Sequence, residues 1–194
     1  MRVLRQAGIT QTPATVADAM RQSVLLLDHA VRSGMPDYGH SFQPLLHPLD
    51  EYALRILDRQ LSPHVPSEVS KRDIYFSPYL ETLPPKMRVL LERNGRYLKD
   101  NLIFGRSIMK LGTLLFCLRY AKEGDGEVSG VWKDVQEIFS GSEMASLYGD
   151  LEKVNTFRNT HVAHVETRLN DADEAWEAMK VWLQTLNKMI DIAG

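Results

Sequence analysis

The chain has one cysteine in 194 residues. No intrachain disulfide can form, so a stapled extracellular scaffold is excluded and a reducing cytoplasm fits. That residue, Cys117, sits inside the apolar run LGTLLFCLRY, where a thiol behaves as a small buried hydrophobe rather than a nucleophile or metal ligand. Long hydrophobic runs are also missing. The longest, LGTLLFCL at 111–118, falls well short of the ~18 residues a bilayer span requires, so no transmembrane helix is expected. The opening MRVLRQAGITQTPATVADAM has positive charges with no continuous apolar core behind them, so it does not read as a secretory signal and the mature chain is expected to start near Met1. Internal repeats, low-complexity tracts and strand–helix alternation are absent as well, which argues against solenoids and parallel-sheet folds.

What remains is ordinary globular material: 44% hydrophobic, 25% charged, with a formal net charge of −2. A chain of this length supports one sizeable core, burying roughly 70% of the surface its unfolded form would expose. The small net charge hides an uneven distribution. Residues 86–122 carry nine Lys or Arg against two Asp or Glu, whereas 123–194 carry six against fourteen. The basic segment offers Lys86, Arg88, Arg93, Arg96, Lys99, Arg106 and Lys110 as candidate contacts to a nucleic-acid backbone, since each cation that neutralises a phosphate releases condensed counterions. The simpler explanation is a basic helix packed beside an acidic one.

Apolar spacing reads as helix almost throughout. Val16, Met20, Val24, Leu25, Ala30 and Val31 predict a first helix capped by Thr15 and stopped at Gly34. Leu49 to Leu61 predicts a second, ended by Ser62-Pro63. Five prolines between 62 and 85 predict a long irregular connection with an extended piece at RDIYFS. The pattern resumes from Lys86 to about Lys122, with Asn94-Gly95 as the expected interruption, and a short helix follows at VWKDVQEIF. In the next helix Leu147, Leu151, Val154, Arg158, His161 and Val165 step by four and three, placing Arg158 and His161 on the apolar face. The last begins at Asn170 or Asp171, with Trp176, Met179, Leu183, Leu186 and Ile190 as its core face. The expected fold is all-α, a compact bundle of five to six helices. Trp132, Trp176 and Trp182 are read as packing residues, and Tyr75, Phe76 and Tyr79 as aromatics that pin a loop or, less simply, stack bases.

One stretch carries chemistry. In FRNTHVAHVE, residues 157–166, an arginine and two histidines lie close together. A neutral imidazole can take the proton of a ribose 2′-hydroxyl or protonate a departing 5′-oxygen. A guanidinium, always charged, offers a planar fork to the phosphate oxygens of the transition state. Arginine followed after four to six residues by histidine is a common pattern, expected about once by chance in such a composition. It occurs twice. Arg59 to His64 is interrupted by Ser62-Pro63; only Arg158 to His164 combines an Arg-Asn pair with a strongly patterned helix.

RNTHVAH resembles the signature of HEPN domains, compact helical domains in which Arg, usually followed by a polar residue, precedes His by four to six intervening positions. Many members are metal-independent endoribonucleases of toxin–antitoxin, phage-defence and RNA-processing systems, and they commonly dimerise with their motifs facing. The resemblance implies Arg158 and His164 as catalytic residues and Asn159 as the accessory polar residue; His161, extra to the pattern, is expected with Asn159 to orient the substrate. It implies RNA as the ligand, a homodimer, no metal or cofactor, and a controlling antitoxin or helicase. It divides the single domain 1–194 into an N-terminal helical pair with its Pro-rich connection, 1–85, and a HEPN-like core, 86–194. On an unbroken α-helix, positions 158 and 164 point about 120° apart and positions 158 and 161 about 60°. One phosphate does not easily reach both of the former, so either the helix distorts near Thr160 or a second subunit completes the site. Two rival readings remain. In one, Arg158 and the histidines simply bond Glu166, Asp150 or Glu152. In the other, the chain is a helical interaction or dimerisation module, the C-terminal part of a larger nucleic-acid-processing protein. HVAH as a metal pair is the weakest option, lacking a third ligand in register.

Overall fold

The computed structural model describes residues 12–77, 83–106, 109–124, 128–163 and 167–194. Among the described residues all regular structure is helical, with no strand, as the apolar spacing predicts. Eight α-helices are present: α1 Ala14–Arg32, α2 Leu46–Leu61, α3 Val69–Phe76, α4 Pro85–Phe104, α5 Lys110–Glu123, α6 Val131–Phe139, α7 Ser142–Phe157 and α8 Ala172–Ala193. Two short 3₁₀ segments, Gly39–Leu45 and Ser62–His64, and a π-helical turn, Arg158–Ala163, complete the elements. The count exceeds the five or six expected because the Pro-rich connection holds a helix of its own, Val69–Phe76, and the run from Lys86 to Lys122 is two helices parted after Phe104. No helix among the described residues is long and apolar enough to cross a membrane.

Contacts divide the chain into two compact units. The first joins the Met1–Tyr52 and Gly149–Gly194 segments. In it α1 buries Val16, Met20, Val24, Leu27 and Ala30, one side of a 3.6-residue period. Pro13, not Thr15, occupies its N-cap, without a side-chain cap bond; Gly34 follows its end with φ of 61°, the left-handed conformation glycine adopts freely. The acid at the start of α8 behaves as expected: the Asp171 carboxylate accepts from the amides of Asp173 at 2.9 Å and Glu174 at 3.0 Å, satisfying two of the helix's orphan donors. The core face of α8 is Ala175, Met179, Trp182, Leu183, Leu186 and Met189. Trp182 is buried, as a packing residue should be, whereas Trp176, expected on the core face, is only half-buried. Phe42 from the 3₁₀ segment, Phe157 and Trp182 form an aromatic cluster with centroid separations of 4.7, 5.1 and 6.0 Å.

The second unit is the continuous stretch Ala53–Tyr148. RDIYFS, expected as an extended piece, is helical through Phe76 as the end of α3, with Ser77 its C-cap, and that end is held from two sides by glycines. The backbone of Gly95 meets the Phe76 carbonyl so closely that a Cβ there would collide, and Gly130, with φ of 58°, does the same at the Tyr75 carbonyl. Tyr75 and Phe76 are buried, and the Tyr75 hydroxyl donates to Asp134 Oδ2 at 2.6 Å; Tyr79 lies outside the described residues. Gly95 therefore permits a close helix approach rather than interrupting α4, which runs unbroken through Asn94-Gly95. The break comes later, where Gly105 and Met109 both have positive φ, 61° and 47°. In α5, Cys117 is fully buried, and burial pushes its thiol pKa up, as the reading of an inert thiol requires. Trp132 of α6 packs edge-on to Phe116 and Tyr120 of α5, 5.6 and 5.5 Å away.

Candidate functional site

The motif begins where α7 ends. Leu147, Leu151 and Val154 are buried along α7, and at Arg158 the hydrogen-bonding register widens into the π turn Arg158–Ala163. A π turn closes i→i+5 bonds, so each residue advances less than the ~100° of an α-helix. The expected 60° between Arg158 and His161 therefore widens, and these two residues do not form the tight pair that α-helical spacing predicts. Both are half-buried and Asn159 is exposed. The helix does distort around Thr160, and His164, the residue that such a distortion was expected to bring toward Arg158, lies outside the described residues. Thr160 itself bonds back to the Thr156 carbonyl, its Oγ1 donating at 2.9 Å, a contact that bends helices.

The turn is fixed from the core side. The His161 carbonyl lies so close to Gly39 that a β-carbon at position 39 would overlap it. Gly39 is held in turn by Asp37, whose Oδ1 accepts from the amides of Gly39 at 2.9 Å and Leu169 at 3.2 Å. The Tyr38 amide donates to the Leu169 carbonyl at 2.8 Å. The 37–39 segment thus clasps the chain on both sides of the 164–166 stretch.

His161 has two defined neighbours. Its ring packs against Phe157 at 4.9 Å, and Nδ1 lies 3.2 Å from the Thr167 carbonyl oxygen. A carbonyl only accepts, so Nδ1 carries the proton and, in the neutral ring, Nε2 is left with the lone pair. The ring borders an open groove of about 530 Å³ formed by Glu152, Lys153, Thr156, Phe157 and Thr160 of the same helical run and Glu174 of α8. This groove brings together an imidazole, an ammonium group and two carboxylates. Four-residue steps, Glu152-Thr156-Thr160 and Lys153-Phe157-His161, were the sequence signal for it; the stronger leucine seam on the other side of α7 obscured them.

Arg158 does not line that groove, and among the described residues it forms no hydrogen bond or ion pair. Asp150, one acid expected to bond it, instead pairs with Lys188 at 2.6 Å. His164, Val165 and Glu166 lie outside the described residues, so the motif's second half carries no geometry. Of the basic candidates, Lys86, Arg93, Arg96 and Arg106 are exposed and Arg88, Lys99 and Lys110 half-buried. Lys99 pairs with Asp73 at 2.5 Å and Arg106 with Asp100 at 3.4 Å. All seven belong to the Ala53–Tyr148 unit, while Arg158 belongs to the other. No group of three His, Cys, Asp or Glu suited to a metal ion occurs among the described residues. No family model, curated protein or solved structure matches this chain.

Proposed function

We propose that the chain is a HEPN-like, metal-independent endoribonuclease that cuts single-stranded RNA in a toxin, defence or RNA-processing setting. The observation that carries this reading is the π turn at Arg158–Ala163. Such turns are rare and concentrate at functional sites, because they replace good i→i+4 bonds with poorer ones. Here the poorer bonding falls on RNTHVA, the first six residues of the RNTHVAH stretch that resembles the family signature. Arg158, half-buried and without an ion pair among the described residues, is the phosphate and transition-state ligand. His164 is the general acid or base, Asn159 orients the substrate, and His161 supports it with a bare Nε2.

In the reaction the 2′-hydroxyl oxygen attacks phosphorus as a base removes its proton, and the bond to the 5′-oxygen breaks as that oxygen gains a proton. The products are a 2′,3′-cyclic phosphate and a 5′-hydroxyl; DNA, lacking the 2′-hydroxyl, is not cut. A homodimer brings a second motif to each site, and an antitoxin or helicase partner controls access. A rival reading is a non-catalytic helical interaction module; Val69 and Ile74 of α3 are 73% and 70% exposed, but five residues apart they point about 140° from each other and form no continuous patch. Labelled single-stranded RNA incubated in EDTA decides between them. The expected result is cyclic-phosphate-ended fragments, lost in Arg158→Ala and His164→Ala and absent with DNA. Intact RNA after incubation with folded protein at high concentration would leave the interaction module standing.

A further inference from the structure

We infer that the outward face of α4 binds single-stranded RNA, with Arg93 and Arg96 contacting phosphates and Phe104 stacking on a base. The assignment rests on RNA being the ligand of the proposed function, but not on its being cleaved.

α4 packs into its unit through Leu91, Asn94, Gly95, Leu98 and Asn101. At about 100° per residue, Lys86, Val89, Arg93, Arg96, Asp100 and Phe104 fall on the other side, within about 80° of arc and along ~27 Å of helix. Their steps of three and four are those a helix ordinarily turns to its core. Here they face solvent: Val89 is 61% and Phe104 55% exposed, and Lys86, Arg93 and Arg96 are exposed as well. None of these three cations forms a hydrogen bond or ion pair among the described residues. Among the described residues Arg96 forms no pair with Glu92, although the two stand at the four-residue spacing where helix surface charges normally pair.

The two ends of the stripe differ. Lys86 and Val89, with Pro85 and Leu90, border an open recess of about 490 Å³. At the other end the Phe104 ring has Lys99 Nζ 5.7 Å and the Arg106 guanidinium 5.4 Å from its centroid. An exposed aromatic ring set among cations is the arrangement on which unpaired bases stack while the backbone follows the positive charge. Lys99 pairs with Asp73 and Arg106 with Asp100, so among the described residues the surplus positive charge of this face comes from Lys86, Arg93 and Arg96, with Glu92 at its border. Stacking on one ring requires an unpaired base, which selects a single strand over a duplex. The length suits roughly four or more nucleotides, the short end of known site sizes.

Fluorescence anisotropy with a labelled 12-nucleotide single-stranded RNA, measured on His164→Ala protein so that the probe stays intact, tests the inference. Adding Arg93→Glu/Arg96→Glu should weaken binding at least tenfold and flatten the salt dependence by about two counterions. Phe104→Ala should weaken it about 5- to 100-fold with the salt slope unchanged, Phe104→Trp should restore it, and Phe104→Leu should not. A charge-matched double variant on α1, Arg21→Glu/Arg32→Glu, should leave affinity within twofold. Equal loss in that control, an inert Phe104→Ala, rescue by Phe104→Leu, or no binding by the parent protein would each overturn it. Binding through this face without cleavage in EDTA would preserve the surface and sink the ribonuclease reading; cleavage unaffected by the α4 changes would do the reverse.

Discussion

Gly39 shows how much a single missing methyl group determines. The carbonyl of His161 occupies the space a β-carbon would need, so Gly39→Ala forces the 3₁₀ segment and the π turn apart. Overpacking of this kind costs about 1–3 kcal/mol, which in a chain of this size lowers the melting temperature by about 2–10 °C. Gly149, inside α7 with nothing near its missing β-carbon, should behave oppositely. Gly149→Ala is expected to gain about 0.5–1 kcal/mol by removing unfolded-state freedom. Thermal melts of the two variants check both signs. Tyr75 provides a pH-dependent counterpart. Burial, the hydrogen bond to Asp134 and the charge of that carboxylate all raise its pKa above the ordinary 10. The folded state therefore holds its proton more tightly than the unfolded state. Its contribution is complete below about pH 10 and declines as pH rises beyond that value toward the folded pKa. Denaturant titrations from pH 8 to 11 should show stability falling above pH 10, and the fall should be smaller in Tyr75→Phe.

Among the elements, the π turn is the one whose behaviour should differ most from its neighbours. Late in α7, Leu151 and Val154 are fully buried. Arg158 to His161 combines wider hydrogen bonds with side chains that are half-buried or exposed. Local opening takes less energy where bonds are poor and burial is shallow. Amide exchange should therefore be at least tenfold faster at 158–161 than at 148–154, and equal protection across both stretches would contradict the idea of a loosened site. Periodicity made the helices readable, because burial on one side leaves the same mark in every helix. It did not reveal α3, whose eight residues span little more than two turns between prolines. Nor did it reveal that Gly95 lies within a helix: an Asn-Gly pair carries the same local signal whether it breaks a helix or admits a close neighbour.

For the whole molecule, the proposed composite site makes a prediction that no single-chain site shares. If Arg158 of one copy works with His164 of another, then mixing inactive Arg158→Ala and His164→Ala proteins creates heterodimers with one intact site. With free exchange, activity should recover to about a quarter of the parent value, heterodimers being half of the population and half-active. A mixture as inactive as its components would place Arg158 and His164 in the same chain's site or dispense with the dimer altogether. Sedimentation of the parent protein reads the assembly independently.

Composition and apolar spacing by themselves determined the helical class, most of the buried positions, the inert thiol, the Asp171 cap and the position of the Arg-Asn-x-His stretch. These follow from local chemistry: a periodic pattern, a capping carboxylate or an apolar run acts over a few residues, so its cause lies within them. Only the tertiary structure decided that α7 opens into a π turn at Arg158, that Gly39 fills the space beside His161, that Trp176 stays half-buried, and that a stripe of α4 resembling a core seam faces solvent. Each depends on which distant segment arrives as a neighbour. Glu174 comes to the groove beside His161, Asp37 binds across to Leu169, and Lys188 takes Asp150 away from Arg158. No local pattern encodes those encounters, because they follow from packing the chain's two ends into one unit.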